Sequence, residues 1–192
     1  MTITTYAIEG LDRLGKSSLI QGIRNKLGYF EVVHFSKPQV LEAYEFTKPL
    51  DFGQSKNFPL QHYQAESFRN SMVIANSGAR VIFDRWHLGE YVYAPMYRGY
   101  SGDYVFDQER WAELHLKNHI KLILLVEDFS VSSHFVDDGL SLGSVENRKH
   151  EQELFVEAFN KSCVRNKKII CVTNPDNGKF KHKDEILAEA LA

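Results

Sequence analysis

Apolar residues in this chain follow two alternating rhythms: short runs rich in β-branched residues, and longer stretches where they recur at helical spacing. Ile3 to Ile8 is such a run and predicts a strand. After a glycine-bearing loop, Leu19, Ile20, Ile23 and Leu27 share one face of a helix over Lys16 to Leu27. Tyr29 to Phe35 predicts a second strand, with Pro38 ending it or starting the next segment. A short helix over Val40 to Phe46 and a turn at Lys48 to Gly53 follow. Phe58 to Asn76 has no internal glycine and predicts a long helix closed at Ser77-Gly78. Arg80 to Phe83 reads as a third strand, Trp86 to Arg98 as a helix up to or through Pro95, and Asp107 to Asn118 as a further helix.

The strongest strand signal is Ile120 to Val126, which is expected to be central. A helix can begin at Ser130 to His134, and Asp137 to Ser144 has the polar, glycine-bearing character of a mobile lid. Glu146 to Cys163 predicts a helix, with Leu154, Phe155, Ala158 and Phe159 on one face. A fifth strand at Lys168 to Val172, a turn at Asn174 to Gly178 and a closing helix over His182 to Leu191 complete the pattern. Strands interleaved with helices imply an α/β fold, a five-stranded parallel sheet covered by helices on both faces. The 192 residues suit a single domain, 1–192, with a small lid at about 135–149.

Composition narrows the function classes. A net charge of -2 gives no excess of Lys and Arg for a nucleic-acid face. Cys163 and Cys171 are too few for a disulfide framework and match no metal or redox spacing, so a reducing cytoplasm is the plain expectation. Neither a signal peptide nor a membrane span is indicated. His115 and His119 stand at helical spacing, but Leu116 falls where a zinc-binding H-E-x-x-H would have glutamate, so they read as a surface pair.

The chemistry begins between the first strand and the first helix. Gly10-Leu11-Asp12-Arg13-Leu14-Gly15-Lys16-Ser17 fits G-x-x-x-x-G-K-[ST] at every fixed position. Such a loop wraps a nucleotide β-phosphate in backbone N–H groups, with Lys16 reaching the β- and γ-phosphates and the Ser17 hydroxyl holding Mg²⁺. ATP and Mg²⁺ are therefore the expected cofactors, and Leu11, Asp12, Arg13, Leu14, Gly15, Lys16, Ser17 and Ser18 the expected ATP-binding residues. A guanine-reading N-K-x-D is missing from Asn166-Lys167-Lys168-Ile169, and Glu127-Asp128 reverses the Asp-Glu of larger ATPases.

Glu9-Gly10-Leu11-Asp12-Arg13-Leu14-Gly15-Lys16-Ser17-Ser18 resembles the E-G-[LV]-D-R-x-G-K-S-[ST] loop of the thymidylate kinases. Val81-Ile82-Phe83-Asp84-Arg85-Trp86 is similar to that family's apolar strand followed by D-R-Y, and Tyr93 falls where the family has a further aromatic residue. Glu146-Asn147-Arg148 and the helix after it extend the likeness, which covers nearly the whole chain and looks most like a phage-type member of the thymidylate and deoxynucleotide kinase group. The resemblance implies a P-loop kinase fold, a homodimer, a catalytic role for Arg13 and a contact from Asp12 to the acceptor sugar 3′-hydroxyl. A solvent-exposed arginine and a turn aspartate are the plainer readings of those two.

Asp84 suits the Mg²⁺ shell or the acceptor phosphate, and Arg85 can grip that phosphate with its planar fork; a buried structural ion pair is the alternative. Arg98 adds charge near the acceptor or lies on the surface. The chain also departs from the family. Where the family has R-E-P or R-F-P, this chain has Ser36-Lys37-Pro38, and Lys37 replaces the arginine fork by a point charge. The base-reading helix is altered as well: Phe58, Tyr63 or Phe68 is offered for stacking, and Gln61, Gln64 or Arg69 for the base edge. Arg148 is the only arginine between Phe129 and Lys149, and family members with a loop arginine such as Arg13 can dispense with catalytic arginines in the lid.

The expectation is a deoxynucleoside monophosphate kinase moving the γ-phosphoryl of ATP to a pyrimidine deoxynucleotide, dTMP or a 5-substituted analogue. A deoxynucleoside kinase acting on a 5′-hydroxyl, with Glu9 or Asp84 as general base, is the first alternative. A non-catalytic nucleotide-binding regulatory module is the second.

Overall fold

A computed structural model describes residues 2–35, 58–131 and 144–192, with Phe58 and Pro59 described by backbone alone. The expected helix over Val40 to Phe46, the turn at Lys48 to Gly53, Lys37, and lid residues 135–143 lie outside the described residues. Five strands, β1 (Thr5–Glu9), β2 (Glu31–His34), β3 (Val81–Asp84), β4 (Ile120–Val126) and β5 (Asn166–Cys171), form one sheet in the order β2-β3-β1-β4-β5. Every pairing is parallel. The middle strand is β1, not β4 as the apolar run suggested. β4 lies one place over, between β1 and β5, and is buried along all but its last residue. Its continuous hydrophobicity reports helix cover on both faces, which any interior strand of a parallel sheet receives.

The helices are α1 (Lys16–Leu27), α2 (Phe58–Asn76), α3 (His87–Tyr93), α4 (Tyr104–Trp111), α5 (Val145–Lys161) and α6 (Lys183–Leu191). Leu19, Ile20 and Ile23 put the apolar face of α1 into the core. Gly28, at φ 91, ends the helix in the left-handed region that glycine enters without steric cost.

Two expected helices differ in the structure. The segment from Trp86 to Arg98 is α-helical only to Tyr93, and Ala94–Arg98 is a turn of π-helix closed by Gly99 at φ 71. Pro95 has no amide hydrogen to offer a preceding carbonyl, so the chain widens there instead of continuing in the α register. The helix expected from Asp107 begins earlier, at Tyr104, where the Gly102 and Asp103 carbonyls accept from Val105 and Phe106 N–H at 3.2 and 3.1 Å. It ends at Trp111, because Glu113 takes φ 53 and a short 3₁₀ turn, Leu114–Leu116, follows. No helix among the described residues is long and apolar enough to cross a membrane.

This topology fixes the site. From β1 the chain departs first toward β2 on one side of the sheet and later supplies β4 and β5 on the other. The carboxyl ends of β1, β3 and β4 therefore open onto one crevice, where sheets of this kind receive ligands.

Candidate active site

The loop from Gly10 to Gly15 leaves the end of β1 with almost no clearance. A Cβ on Gly10 would stand 2.4 Å from the Leu125 carbonyl oxygen on β4, and Gly10 itself has φ 127. Only glycine fits there. Gly15, at φ 83, turns the chain into α1, whose first turn carries no acidic residue. The helix-start amides and the helix dipole thus face the loop with no acidic side chain in that first turn to compete, a combination that suits phosphate.

Lys16 is buried at the first position of α1. Its ammonium donates to the Gly10 and Leu11 carbonyls at 2.8 and 2.6 Å and lies 3.7 Å from Asp12. Burial, reinforced by the charge of Arg85, pushes its pKa down to about 8 against the opposing pull of Asp12, Asp84 and Glu9. Ser17 and Ser18 are exposed beside it. Asp84, at the end of β3, is half-buried and pairs with Nδ1 of His34 at 2.9 Å. A serine hydroxyl and a carboxylate are hard oxygen donors, the type Mg²⁺ prefers, so Ser17 and Asp84 fit the ion the loop motif implies.

Arg85 ties the two halves of the crevice together. Its N–H donates to the Ile8 carbonyl at 3.0 Å, extending the β1–β3 ladder by one residue, and its guanidinium donates to the Asp12 carboxylate. It does so from a left-handed backbone, φ 60, and so does Arg13 in the loop, φ 68. For residues other than glycine this conformation costs about 1–3 kcal/mol and persists only where surrounding contacts over-determine it.

Tyr93 closes the crevice from α3. Its hydroxyl donates to Glu151 on α5, and burial pushes the phenol far up, helped by the charges of Glu151 and Asp12. Glu151 is itself buried. Burial raises its pKa and Asp12 adds to the rise, while the Tyr93 hydrogen bond, Arg148 and Lys16 work against it. Glu151 carries one weak signal in the sequence, its place one helical turn before Phe155 on the face that Ala158 and Phe159 also bury. Phe180 also reaches the loop. Its ring lies 3.5 Å from where a Cβ on Gly15 would stand, and it is an isolated aromatic in the polar stretch after β5.

The remaining expected residues are spread more widely. Arg148 lies in the first turn of α5, 8% exposed, with its guanidinium 2.7 Å from Glu127 at the end of β4. Gln152 hydrogen-bonds both the N–H and the carbonyl of Glu127, at 2.8 and 2.9 Å, so this end of α5 is clasped to the sheet. Arg98 forms an ion pair with buried Glu90, which also accepts from the Tyr100 and Tyr104 hydroxyls at 2.8 Å each. On α2, Gln64 and Phe68 are buried, and Phe68 stacks on Phe35 with centroids 5.0 Å apart. Tyr63 is 52% exposed. Arg69 is not brought to the Asp12–Arg85 pair: its guanidinium stands 4.5 Å from the Trp111 ring centroid and 4.0 Å from Glu66, an outer face where α2 meets α4.

Comparison with known proteins places this geometry. No family model matches the chain, and no curated protein does either. Among solved structures it is similar to the YorR protein of Bacillus subtilis, determined in complex with phosphorylated GDP, at 17% identity and TM-score 0.60 over 98% of this chain and 94% of that one. It is similar to thymidylate kinase from Candida albicans at 19% identity and TM-score 0.55, over 97% of this chain and 88% of that one. Thymidylate kinase from Ehrlichia chaffeensis aligns at 13% identity and TM-score 0.56, over 100% and 98%. With its five-stranded parallel sheet, helices on both faces and a glycine-bounded loop after the middle strand, this chain has the P-loop kinase fold.

Proposed function

We propose that the protein is an ATP-dependent kinase of deoxynucleoside monophosphates, with a pyrimidine deoxynucleotide, dTMP or a 5-substituted analogue, as acceptor. The observation that carries this reading is the Asp12–Arg85 pair, which brings a guanidinium from the end of β3 to the phosphate loop at the end of β1. A planar fork there suits the phosphate of an acceptor lying next to the donor phosphates. Phosphoryl transfer asks the protein for in-line positioning and neutralised charge more than for covalent work.

In this reading the loop amides and Lys16 hold the donor phosphates, and the Phe180 ring beside Gly15 offers a flat apolar face to the nucleotide base. Arg13, strained into the mouth of the loop, neutralises the moving phosphoryl. Ser17 and Asp84 would hold Mg²⁺, which would supply charge neutralisation for the donor phosphates. Asp12 orients Arg85, and the buried Tyr93–Glu151 pair forms the wall against which the acceptor sugar packs. Association into a homodimer belongs to the same reading.

A panel of nucleoside monophosphates incubated with ATP and Mg²⁺, read as ADP formed, tests it. Turnover with dTMP or a 5-modified pyrimidine monophosphate is expected. Transfer only to unphosphorylated nucleosides would replace this reading by that of a nucleoside kinase. The phosphorylated GDP bound by YorR favours one second reading, a guanine nucleotide acceptor, so GMP, dGMP and GDP belong in the panel.

A further inference from the structure

Glu9 ends β1, immediately before the phosphate loop, and is wholly buried. Oε1 accepts from the backbone N–H of Trp86 at 2.9 Å and of Leu88 at 3.0 Å, the amides that open α3. That helix has no cap of its own: Trp86 occupies the N-cap position and makes no side-chain capping bond. A carboxylate from a strand 77 residues earlier does the work a local Ser, Thr, Asp or Asn usually does.

Arg85 lies directly before these amides. Its own N–H is fixed to Ile8 and its guanidinium to Asp12, both within the segment that Glu9 divides. The residue in the strained φ 60 conformation is thus held on its N-terminal side by β1, on its C-terminal side by Glu9, and at its tip by the loop. We propose that Glu9 is a positioning residue: by capping α3 from the end of β1, it locks the backbone of Arg85 so that the guanidinium reaches the acceptor phosphate beside the donor loop.

This rests on the reading of Arg85 as the acceptor-phosphate ligand, and it excludes Glu9 as a proton acceptor in the reaction. The second oxygen agrees with a holding role. Oε2 is buried without a hydrogen-bond partner, 3.9 Å from where a Cβ on Gly89 would stand, so one oxygen carries the full structural contact. A neutral amide oxygen can accept the same two N–H bonds, whereas a methyl group cannot.

The two roles separate in Glu9→Gln and Glu9→Ala. The protein has two tryptophans, Trp86 and Trp111, and Trp111→Phe leaves Trp86, buried and bonded to Ser71 Oγ at 2.6 Å, as the only reporter of the α3 start. In that background, Glu9→Gln is expected to keep the emission maximum and acrylamide shielding of Trp86. It should also keep kcat and both KM values within about fivefold, because the acceptor oxygen survives. Glu9→Ala is expected to shift Trp86 emission to the red and to raise KM for dTMP at least about thirtyfold, leaving KM for ATP within about threefold, as loss of positioning at one substrate would.

A folded Glu9→Gln protein as inactive as Glu9→Ala would overturn the proposal, since the carboxylate charge or its proton would then be what matters. So would a Glu9→Ala protein with unchanged Trp86 emission and unchanged KM for dTMP. If Glu9→Ala fails to fold, Glu9→Gln alone decides between the outcomes. A parent protein that phosphorylates none of the monophosphates refutes the proposed function instead, and the Trp86 measurements still test the tie between Glu9 and α3.

Discussion

The Arg85 guanidinium donates to the Asp12 carboxylate across the boundary between the third strand and the phosphate loop, joining residues 73 positions apart. Each is partly exposed, so the pair remains accessible to a ligand while holding a fixed orientation. Removing either partner should therefore disturb the same interaction. In a double-mutant cycle on kcat/KM for the monophosphate, Asp12→Ala and Arg85→Ala are expected to be non-additive by about 0.5–3 kcal/mol. Arg85→Lys should recover little, because a point charge replaces a planar fork.

Arg13 carries the heaviest catalytic expectation. Arg13→Ala should slow turnover at least about a hundredfold at saturating substrates, in line with the loss of a charge donor at phosphoryl transfer. Single-turnover kinetics check it. An unchanged chemical step would move the role to Arg148, whose guanidinium is held by Glu127.

The depressed pKa of Lys16, about 8, makes nucleotide binding proton-linked. Phosphate favours the ammonium form, so Lys16 should contribute proton uptake to ATP binding near pH 8.5 and almost none at pH 6.5. Calorimetric titrations in two buffers of different ionisation enthalpy measure that uptake. For stability the sign is fixed by burial: the folded chain binds this proton less tightly than the unfolded chain, whose lysine titrates near its ordinary 10.5. The lysine's contribution therefore becomes more favourable as pH rises from about 8 toward 10.5. Lys16→Met should abolish both effects.

Glu151 gives the opposite trend. Its pKa is raised by burial above the ordinary 4.5, so its contribution to stability is fully present below that value and is lost as pH rises through the higher folded one. Glu151→Gln keeps an acceptor for the Tyr93 hydroxyl and removes the buried charge. Melting curves of the variant should show a smaller loss of stability above pH 4.5 than the parent, and a Tm at pH 7 equal to or above it.

Much of the phosphate-loop half of the crevice is legible in the sequence, because the signals there are local. The glycine spacing predicts the turn, and Leu19, Ile20 and Ile23 predict the helix that follows over Lys16–Leu27. Arg85 is legible as a motif residue, but its strained backbone and its bond to Asp12 are not, since both depend on β3 lying beside β1. Glu151 and Phe180 are not legible for the same reason. Each comes to the site from an element late in the chain, and no spacing rule links them to residues near Gly15. Pro95 marked the end of regular α-helix, but not that the backbone would continue as a wider turn. The rank of β4 is not legible, because apolar content measures burial and not position in the sheet.

That wider turn, Ala94–Arg98, has the geometry of an α-helix carrying one surplus residue. Deleting a single residue there would remove the surplus and let the segment close in the α register. Arg98 lies inside that turn, so its reach to Glu90 depends on the surplus residue, and without it the carboxylate that accepts from both tyrosine hydroxyls would lose its partner cation.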